Sequence, residues 1–420
     1  MTSSTFAPEL LAPAGTLKAL RYAFAYGADA IYAGHPRYSL RARNNEFTLE
    51  NIKLGIDYAH QSGKQFFLAS NVLPHDNKVK TYLNDIEPVI ALGPDALIMA
   101  DPGLIMLVRE RWPDVPIHLS VQANTMNSAA VRFWESIGVR RIILSRELSL
   151  KEITAIRQAC PDIELEVFVH GAICIAYSGR CLLSGYFNRR DPNQGVCTNA
   201  CRWDYKVHNA RQDLNGEVVM LEESMRPGEM MPMAEDEHGT YIMNSKDLRA
   251  IQHVQRLVEI GVNSLKIEGR TKSFYYVARS AQIYRKAIAD AVAGKSFDEK
   301  LLRDLDGLAS RGYTDGFLQR HKPQDLQNYE QGASSYSSQR FVGEVLQVTD
   351  DMLEIEVKNR FCVGDKLELL QPKGNTVFVL ENMQNDDGET IDVAPGSGYR
   401  VRIPRPADVV DELSLLVANI

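Results

Sequence analysis

Short apolar runs alternate with amphipathic stretches over the first three-quarters of the chain, and one phrase keeps returning. It reads Tyr26-Gly-Ala-Asp-Ala-Ile-Tyr-Ala-Gly34, Leu92-Gly-Pro-Asp-Ala-Leu-Ile-Met-Ala-Asp101, Ile137-Gly-Val-Arg-Arg-Ile-Ile-Leu-Ser-Arg146 and Ile260-Gly-Val-Asn-Ser-Leu-Lys-Ile-Glu-Gly269. A looser copy is Ser62-Gly-Lys-Gln-Phe-Phe-Leu-Ala-Ser70. Each has a glycine able to take the left-handed conformation that ends a helix, then a short apolar run, then polar or small residues. Helical periodicity fills the gaps, at Leu17–Tyr26, Asn51–Gln61, Ser128–Ile137 and Phe274–Ala293. Short apolar strands separated by helices are the signature of parallel βα units.

Eight strands are predicted, over 9–13, 30–34, 65–70, 96–100, 117–122, 141–145, 164–169 and 264–268. Eight βα units over residues 1–327 predict an α/β fold, a (β/α)8 TIM-like barrel, with an open doubly wound sheet as the alternative. The long gap after strand seven predicts an insertion over about 172–245. Residues 328–340 are polar and read as a linker. Beyond them, short β runs at 341–348, 352–357, 366–370, 376–380 and 399–403 predict a small C-terminal all-β barrel over 341–420.

Composition adds little to this picture. Of 420 residues, 45% are hydrophobic and 24% charged, as in ordinary globular chains. The opening residues lack the basic and apolar regions of a signal peptide, and no apolar run approaches the length of a membrane span, so a cytoplasmic protein is expected. The net charge of −7 does not advertise nucleic-acid binding, but residues 211–240 alone carry −6 of it. The remainder is near neutral, and a local basic face stays open.

The insertion changes the picture most. It holds Cys174, Cys181, Cys197 and Cys201, four of the six cysteines, within 28 residues. In a reducing compartment, clustered thiols point to metal rather than disulfides. Four thiolates suit a 4Fe-4S cluster; structural zinc and a thiol or disulfide role are the alternatives. None of the four sits in the Cys-x2-Cys knuckles usual for zinc ribbons. Cys160 and Cys362, far from the group, read as small buried hydrophobes. Since active sites of such barrels lie at the C-terminal strand ends, an insertion after strand seven belongs to the catalytic face.

Polar residues at those strand ends are the candidates for substrate contact: Tyr32, Asn71, Asp101, Gln122, Asn124, Arg146, Glu147, His170, Lys266, Glu268 and Arg270. Strand alternation puts Lys266 and Glu268 on one face. With His170 they form the candidate catalytic set for proton transfer. Arg37, Arg41 and Arg43, with Tyr38 among them, and Arg189 and Arg190 in the insertion, could hold phosphates and stack a base.

Three segments carry a resemblance. They are Glu166-Val-Phe-Val-His-Gly-Ala-Ile-Cys174 with its continuation to Ser184, the opening Glu9-Leu-Leu-Ala-Pro-Ala-Gly15, and Leu265-Lys-Ile-Glu-Gly-Arg270. Together they resemble the collagenase-like peptidase family of unknown catalytic type, over essentially the whole chain. The resemblance implies an iron–sulfur protein and, within the family, a branch that hydroxylates tRNA without oxygen. It implies 5-hydroxyuridine at a wobble position as product and prephenate as hydroxyl donor. Prephenate carries two carboxylates, for which Arg146 and Arg270 are the expected clamp, with Asn71, Gln122, Arg37 and Arg41 as further substrate contacts. A ubiquinone-hydroxylating branch takes its fourth cluster ligand downstream, where this chain reads Gly239-Thr-Tyr-Ile-Met-Asn-Ser-Lys246, so either Cys201 is the fourth ligand, as expected here, or the cluster has only three. The peptidase name finds no His-Glu-x-x-His or Gly-x-Ser-x-Gly in the sequence, and iron-bound thiolates are not free nucleophiles. Proteolysis and a non-catalytic iron–sulfur RNA-binding role are the alternative functions.

Overall fold

The computed structural model describes residues 6–40, 45–173, 177, 193, 195, 205–209, 218–223, 230–236, 239–240, 246–310, 312–319, 339–406 and 411–419. Cys174, Cys181, Cys197, Cys201, Arg41, Arg43, Arg189 and Arg190 lie outside the described residues. The linker predicted over 328–340 lies outside them up to residue 338.

Eight parallel strands close into a barrel: β1 (Glu9–Pro13), β2 (Ala30–Gly34), β3 (Gln65–Ser70), β4 (Ala96–Met99), β5 (Ile117–Leu119), β6 (Arg141–Ile143), β7 (Glu164–Ala172) and β13 (Ser264–Ile267). They pair in sequence order, and β13 closes the ring by pairing with both β1 and β7. The strands are nearly continuous in apolar residues because side chains face either the barrel interior or the helical layer, and both are dry.

The helices are α1 (Leu17–Ala25), α2 (Leu49–Gln61), α3 (Asp76–Ile90), α4 (Pro102–Arg111), α5 (Ser128–Ser136), α6 (Leu150–Ala159), α7 (Val254–Ile260), α8 (Phe274–Val292) and α9 (Lys300–Asp306). Most start on a side chain that satisfies an orphaned backbone N–H. Thr16, Thr48, Asp101, Asn127, Ser149 and Ser273 are these caps, and Ser149 forms a capping box with Glu152. Asp101, a candidate substrate contact in the sequence, is thus the cap of α4, accepting from the Leu104 N–H at 2.9 Å.

The insertion contributes an antiparallel sheet of β8 (Tyr205–Asn209), β9 (Val218–Glu223), β10 (Met230–Asp236) and β11 (Gly239–Thr240). The chain then returns through β12 (Asp247–Arg249), antiparallel to the end of β7, with β14 (Tyr313–Thr314) beside it.

The C-terminal domain is antiparallel. It has β15 (Gln339–Val348), β16 (Met352–Val357), β17 (Phe361–Cys362), β18 (Lys366–Leu370), β19 (Thr376–Val379), β20 (Val393–Ala394), β21 (Arg400–Pro404) and β22 (Leu415–Asn419). Six of them form a sheet in the order β19-β18-β22-β15-β16-β21, and β17 pairs with β20. Its two edge strands are not paired with each other, so the expected barrel is an open half-barrel. β22, which the sequence pattern did not single out, sits between β18 and β15 and is wholly buried up to its last residue. β16 and β21 alternate buried with more exposed positions, as one-sided sheets do.

This domain docks along α1 and α8. The Tyr26 hydroxyl donates to the carbonyls of Leu370 and Leu413, at 2.9 and 3.0 Å. Tyr275 stacks on Phe341 with ring centres 5.0 Å apart. Lys18 pairs with Glu344, and the Tyr22 hydroxyl donates to the same carboxylate at 3.0 Å. Buried Arg279 pairs with Glu368 at 3.0 Å. Removing one member of a buried pair strands the other charge. Arg279→Leu should therefore lower stability by roughly 3–5 kcal/mol in urea unfolding followed by circular dichroism. An unchanged midpoint would mean that the pair does not hold the two domains together.

Candidate active site

The barrel interior is charged. At its base Arg141 of β6 meets Glu9 of β1 at 2.7 Å, Glu164 at 2.8 Å and Glu166 of β7 at 3.3 Å. Ser264 of β13 donates to Glu9 at 2.8 Å. Burial works against the Arg141 charge, but the surrounding carboxylates outweigh it and raise its pKa. His118 of β5 packs on Phe67 and is held neutral, first by burial and then by Arg141 and Lys266.

One layer up, the Lys266 ammonium donates to Glu166 at 2.7 Å, with both side chains almost fully buried. It lies 4.3 Å from the centre of the Tyr32 ring and 5.3 Å from that of Phe168. Burial lowers the Lys266 pKa, and the Glu166 carboxylate opposes the shift. Above it, the Tyr32 hydroxyl reaches the Ile267 carbonyl at 3.1 Å and the Glu268 carboxylate at 3.3 Å. Burial, then the Glu268 charge, holds this phenol well above its ordinary pKa, so it is a neutral donor.

Arg146 completes the rim. Its guanidinium lies 3.9 Å from the centre of the Phe168 ring, 3.6 Å from Glu268, and donates to the Ala172 carbonyl at 2.9 Å. Arg270 donates to the Leu40 carbonyl and lies 5.7 Å from the Tyr32 ring centre. Glycine at position 34 leaves room for this guanidinium, since a Cβ there would crowd the Arg270 and Ser39 side chains. Through the same Leu40, whose N–H it accepts at 3.1 Å, Asn71 joins this rim, and it donates to Gln122 at 3.2 Å and Ser120 at 3.3 Å.

The structure thus brings together Tyr32, Arg146, Lys266, Glu268 and Arg270, and joins Asn71 to Gln122. The three cations already have protein partners, so a bound carboxylate would share or exchange them. Lys266 pairs with Glu166, which also meets Arg141, and Arg146 pairs with Glu268, so cations and carboxylates alternate along the interior up to the mouth.

His170 is not part of this set. The pairing of β7 with β13 slips between Lys266 and Ile267, which face Phe168 and His170, so Val169 is an extra residue. Such a bulge re-aims the side chains beyond it. Continuous alternation from Glu166 and Phe168 would turn His170 inward. Instead it packs against Tyr276 and Tyr284 of α8 and against Tyr313. The bulge is held from outside, where the Tyr284 hydroxyl and the Ala250 N–H both donate to the Val169 carbonyl, at 2.7 and 2.8 Å. Gly171 follows in the left-handed region, with φ of 103°, where a Cβ would strike the Glu268 carbonyl.

The arginine loop also differs from expectation. Tyr38 is wholly buried, edge-on to Tyr82, and donates to Asp85, so it offers no face for a base. Arg37 is exposed and pairs with the same Asp85 at 2.7 Å. Neither belongs to the mouth cluster. Among the groups missed in the sequence, Glu166 is the direct partner of Lys266; its place two residues before Phe168 on one strand face was the available signal.

Both flanks of the cysteine segment touch the mouth. Ala172, two residues before Cys174, binds Arg146. Asn193, four residues before Cys197, accepts from the N–H of Leu73, just beyond β3, at 3.1 Å. Among the described residues no group of His, Cys, Asp and Glu is arranged to hold a metal, and the four cysteines lie outside them. Cys160 is buried near the Ser128 carbonyl and Cys362 is half-buried in the C-terminal domain.

With this geometry, the comparisons with known proteins are specific. The model of peptidase family U32 matches residues 15–328, and that of the family's C-terminal domain matches residues 337–416. The chain belongs to peptidase family U32. It is 59% identical to the tRNA hydroxylation protein P of Escherichia coli, over 99% of this chain and 97% of that protein. It is 32% identical to the 23S rRNA 5-hydroxycytidine C2501 synthase of the same organism, over 88% of this chain and 53% of the synthase. It is 26% identical to a collagenase of Porphyromonas gingivalis, over 95% of this chain and 96% of that protein. Among the described residues no helix is long and apolar enough to cross a membrane.

Buried His170 makes a testable contribution to stability. Burial lowers its pKa from 6.5 to about 3. Between those values the unfolded chain binds more protons than the folded one, so the stabilisation is complete above pH 6.5 and is lost as pH falls toward 3. The loss is about 1.4 kcal/mol per pH unit at most. Urea unfolding at pH 7 and pH 5 should show a steeper decline for the natural protein than for His170→Gln, whatever the variant's stability at pH 7. Equal slopes would mean that the imidazole is protonated in the fold.

Proposed function

We propose that this chain hydroxylates carbon 5 of a wobble uridine in tRNA, without molecular oxygen and with prephenate as hydroxyl donor. The observation that carries the reading is the near full-length identity to a tRNA hydroxylation protein. The relative that makes hydroxycytidine in rRNA supports the same class of chemistry on a pyrimidine. The cations at the mouth, Arg146, Lys266 and Arg270, suit a donor bearing two carboxylates. An anticodon base can be splayed into a barrel mouth without opening a duplex.

The four cysteines form the donor set of a 4Fe-4S cluster, and the segment that bears them is tied to the mouth at Ala172 and Asn193. Such a cluster supplies electron transfer or Lewis acidity when bound. The chain's own residues supply the rest. Moving the hydroxyl from donor to base balances when the donor's C–O bond breaks with its electron pair left on the donor, a new C–O bond forms at carbon 5, and the proton of carbon 5 is released. Glu268 is the candidate to take it, because it is partly open to the mouth and is oriented by Tyr32 and Arg146. Lys266, locked to Glu166 beneath, keeps a positive charge under the reacting centre.

Proteolysis is the weaker reading. Among the described residues, Cys160 lies against a backbone carbonyl and His170 among tyrosines, so neither forms a nucleophile–base pair.

Deleting the gene, digesting total tRNA and measuring nucleosides by mass spectrometry tests the assignment. Loss of 5-hydroxyuridine derivatives, aerobically and anaerobically, is expected in a strain without a second hydroxylating system. Unchanged nucleosides would sink it. In the complemented strain, Glu268→Gln should slow modification about a hundredfold or more, with iron content intact. Cys174→Ala, Cys181→Ala, Cys197→Ala and Cys201→Ala should each lower iron content sharply, while Cys160→Ala and Cys362→Ala should not. Full iron in the Cys201→Ala protein would exclude that residue as a ligand.

A further inference from the structure

Glu268 lies one residue beyond β13, which ends at Ile267, and a glycine follows it. Gly269 has φ of 153°, a conformation that side-chain-bearing residues rarely adopt. A carboxylate at such a point is placed only as well as its own main chain is held. Two hydrogen bonds hold that main chain. The Glu268 N–H donates to the His170 carbonyl at 2.8 Å, and the Glu268 carbonyl accepts from the Tyr276 hydroxyl at 2.9 Å. The contacts to the carboxylate itself are longer, 3.3 Å from Tyr32 and 3.6 Å from Arg146. By length, the main-chain bonds are the firmer ones.

Tyr276 is itself fixed from several sides. It belongs to the first turn of α8, where the Ser273 cap accepts from the Tyr276 N–H at 3.3 Å. Its ring stacks on His170 with centres 5.7 Å apart, and it covers Gly269, where a Cβ would come within 2.7 Å of the ring. The Lys272 N–H donates to the Gly269 carbonyl at 2.8 Å, which tightens the short turn between Glu268 and the helix. Burial, then Tyr313, Asp247 and Glu268, hold the phenol well above its ordinary pKa, so it is a neutral donor. The tyrosine touches the main chain of Glu268 and leaves its carboxylate to Tyr32 and Arg146.

We propose that Tyr276 is a positioning residue for the reaction: by holding the Glu268 peptide it sets the carboxylate at the place from which it takes the carbon 5 proton. This rests on the reading of Glu268 as the base of a tRNA uridine hydroxylase. It adds a residue on α8 that acts only through that base.

The test uses full-length iron-loaded protein, prephenate and unmodified tRNA from a strain lacking the gene, and measures 5-hydroxyuridine formed in a single turnover. Iron content and melting curves are recorded for every variant, and rates are compared well below the lowest melting midpoint. Tyr276→Phe removes one hydroxyl and keeps the ring. It should slow turnover at saturating donor and tRNA about tenfold. The half-saturating concentrations should stay within about twofold. Tyr26→Phe is the control, since it too loses a buried hydroxyl bonded to main-chain carbonyls, at the contact with the C-terminal domain. It should lower the melting temperature and leave the rate unchanged. The deciding variant is Tyr276→Phe/Glu268→Gln, which should be no slower than Glu268→Gln alone, because residues that act as a unit are not additive. A further tenfold loss in that double variant overturns the proposal, as does a natural rate in Tyr276→Phe or a loss confined to the half-saturating concentrations. A natural rate in Glu268→Gln removes the base and this role with it. No product from the natural protein removes the hydroxylase reading as a whole.

Discussion

The buried ion pair between Lys266 and Glu166 is the interaction on which the candidate site depends. It joins the two strands whose pairing closes the barrel, β7 and β13, and it does so inside the ring where no water can replace either partner. Isolated, each charge would be expensive to bury. Together with Arg141, Glu9 and Ser264 they form a continuous polar chain linking β6, β7, β13 and β1. Pairs of this kind are weak evidence for stability, since an apolar replacement of similar volume is often as good. Their retention in a barrel otherwise packed with apolar side chains fits a role in the chemistry above them.

That chemistry is arranged in layers. The charged base fixes Lys266, Lys266 and Arg146 flank Phe168, and Tyr32 and Arg146 orient Glu268. Each rim group is held by one beneath or beside it, which keeps a carboxylate and two arginines at defined positions without a bound substrate. Preorganisation of this kind lowers the reorganisation needed during a reaction. The C-terminal half-barrel is fastened along α1 and α8 by aromatic stacking and buried ion pairs, so it is a fixed neighbour of the catalytic domain rather than a tethered one.

The slip in register between β7 and β13 has two consequences. It sends His170 out of the barrel into a cage of tyrosines, and it lets β7 run on to Ala172, where its last carbonyl meets Arg146. The start of the cysteine segment is therefore delivered to the rim at a defined point. The same irregularity that removes a histidine from the site positions the segment expected to carry the cluster.

Much of this was legible in the chain. Short continuous apolar runs, repeated Gly-led phrases and helix caps specify eight βα units, because local backbone preferences and burial on both strand faces act over a few residues. The alternation of Lys266 with Glu268 put both on one face, and in the fold both side chains reach Tyr32, although β13 itself ends at Ile267. The strands of the C-terminal sheet were legible apart from β22, whose partners lie nearly 50 and 80 residues away in sequence, but the sheet is open where a barrel was expected. What the sequence could not decide depends on contacts between distant segments. His170 read as a catalytic residue at a strand end, and a one-residue bulge pinned by Tyr284 turned it away from the mouth. Arg37 and Tyr38 read as an RNA-binding loop, but Asp85 of α3 claims both. Local patterning determines which elements form; which side chains meet is settled by packing across the ring.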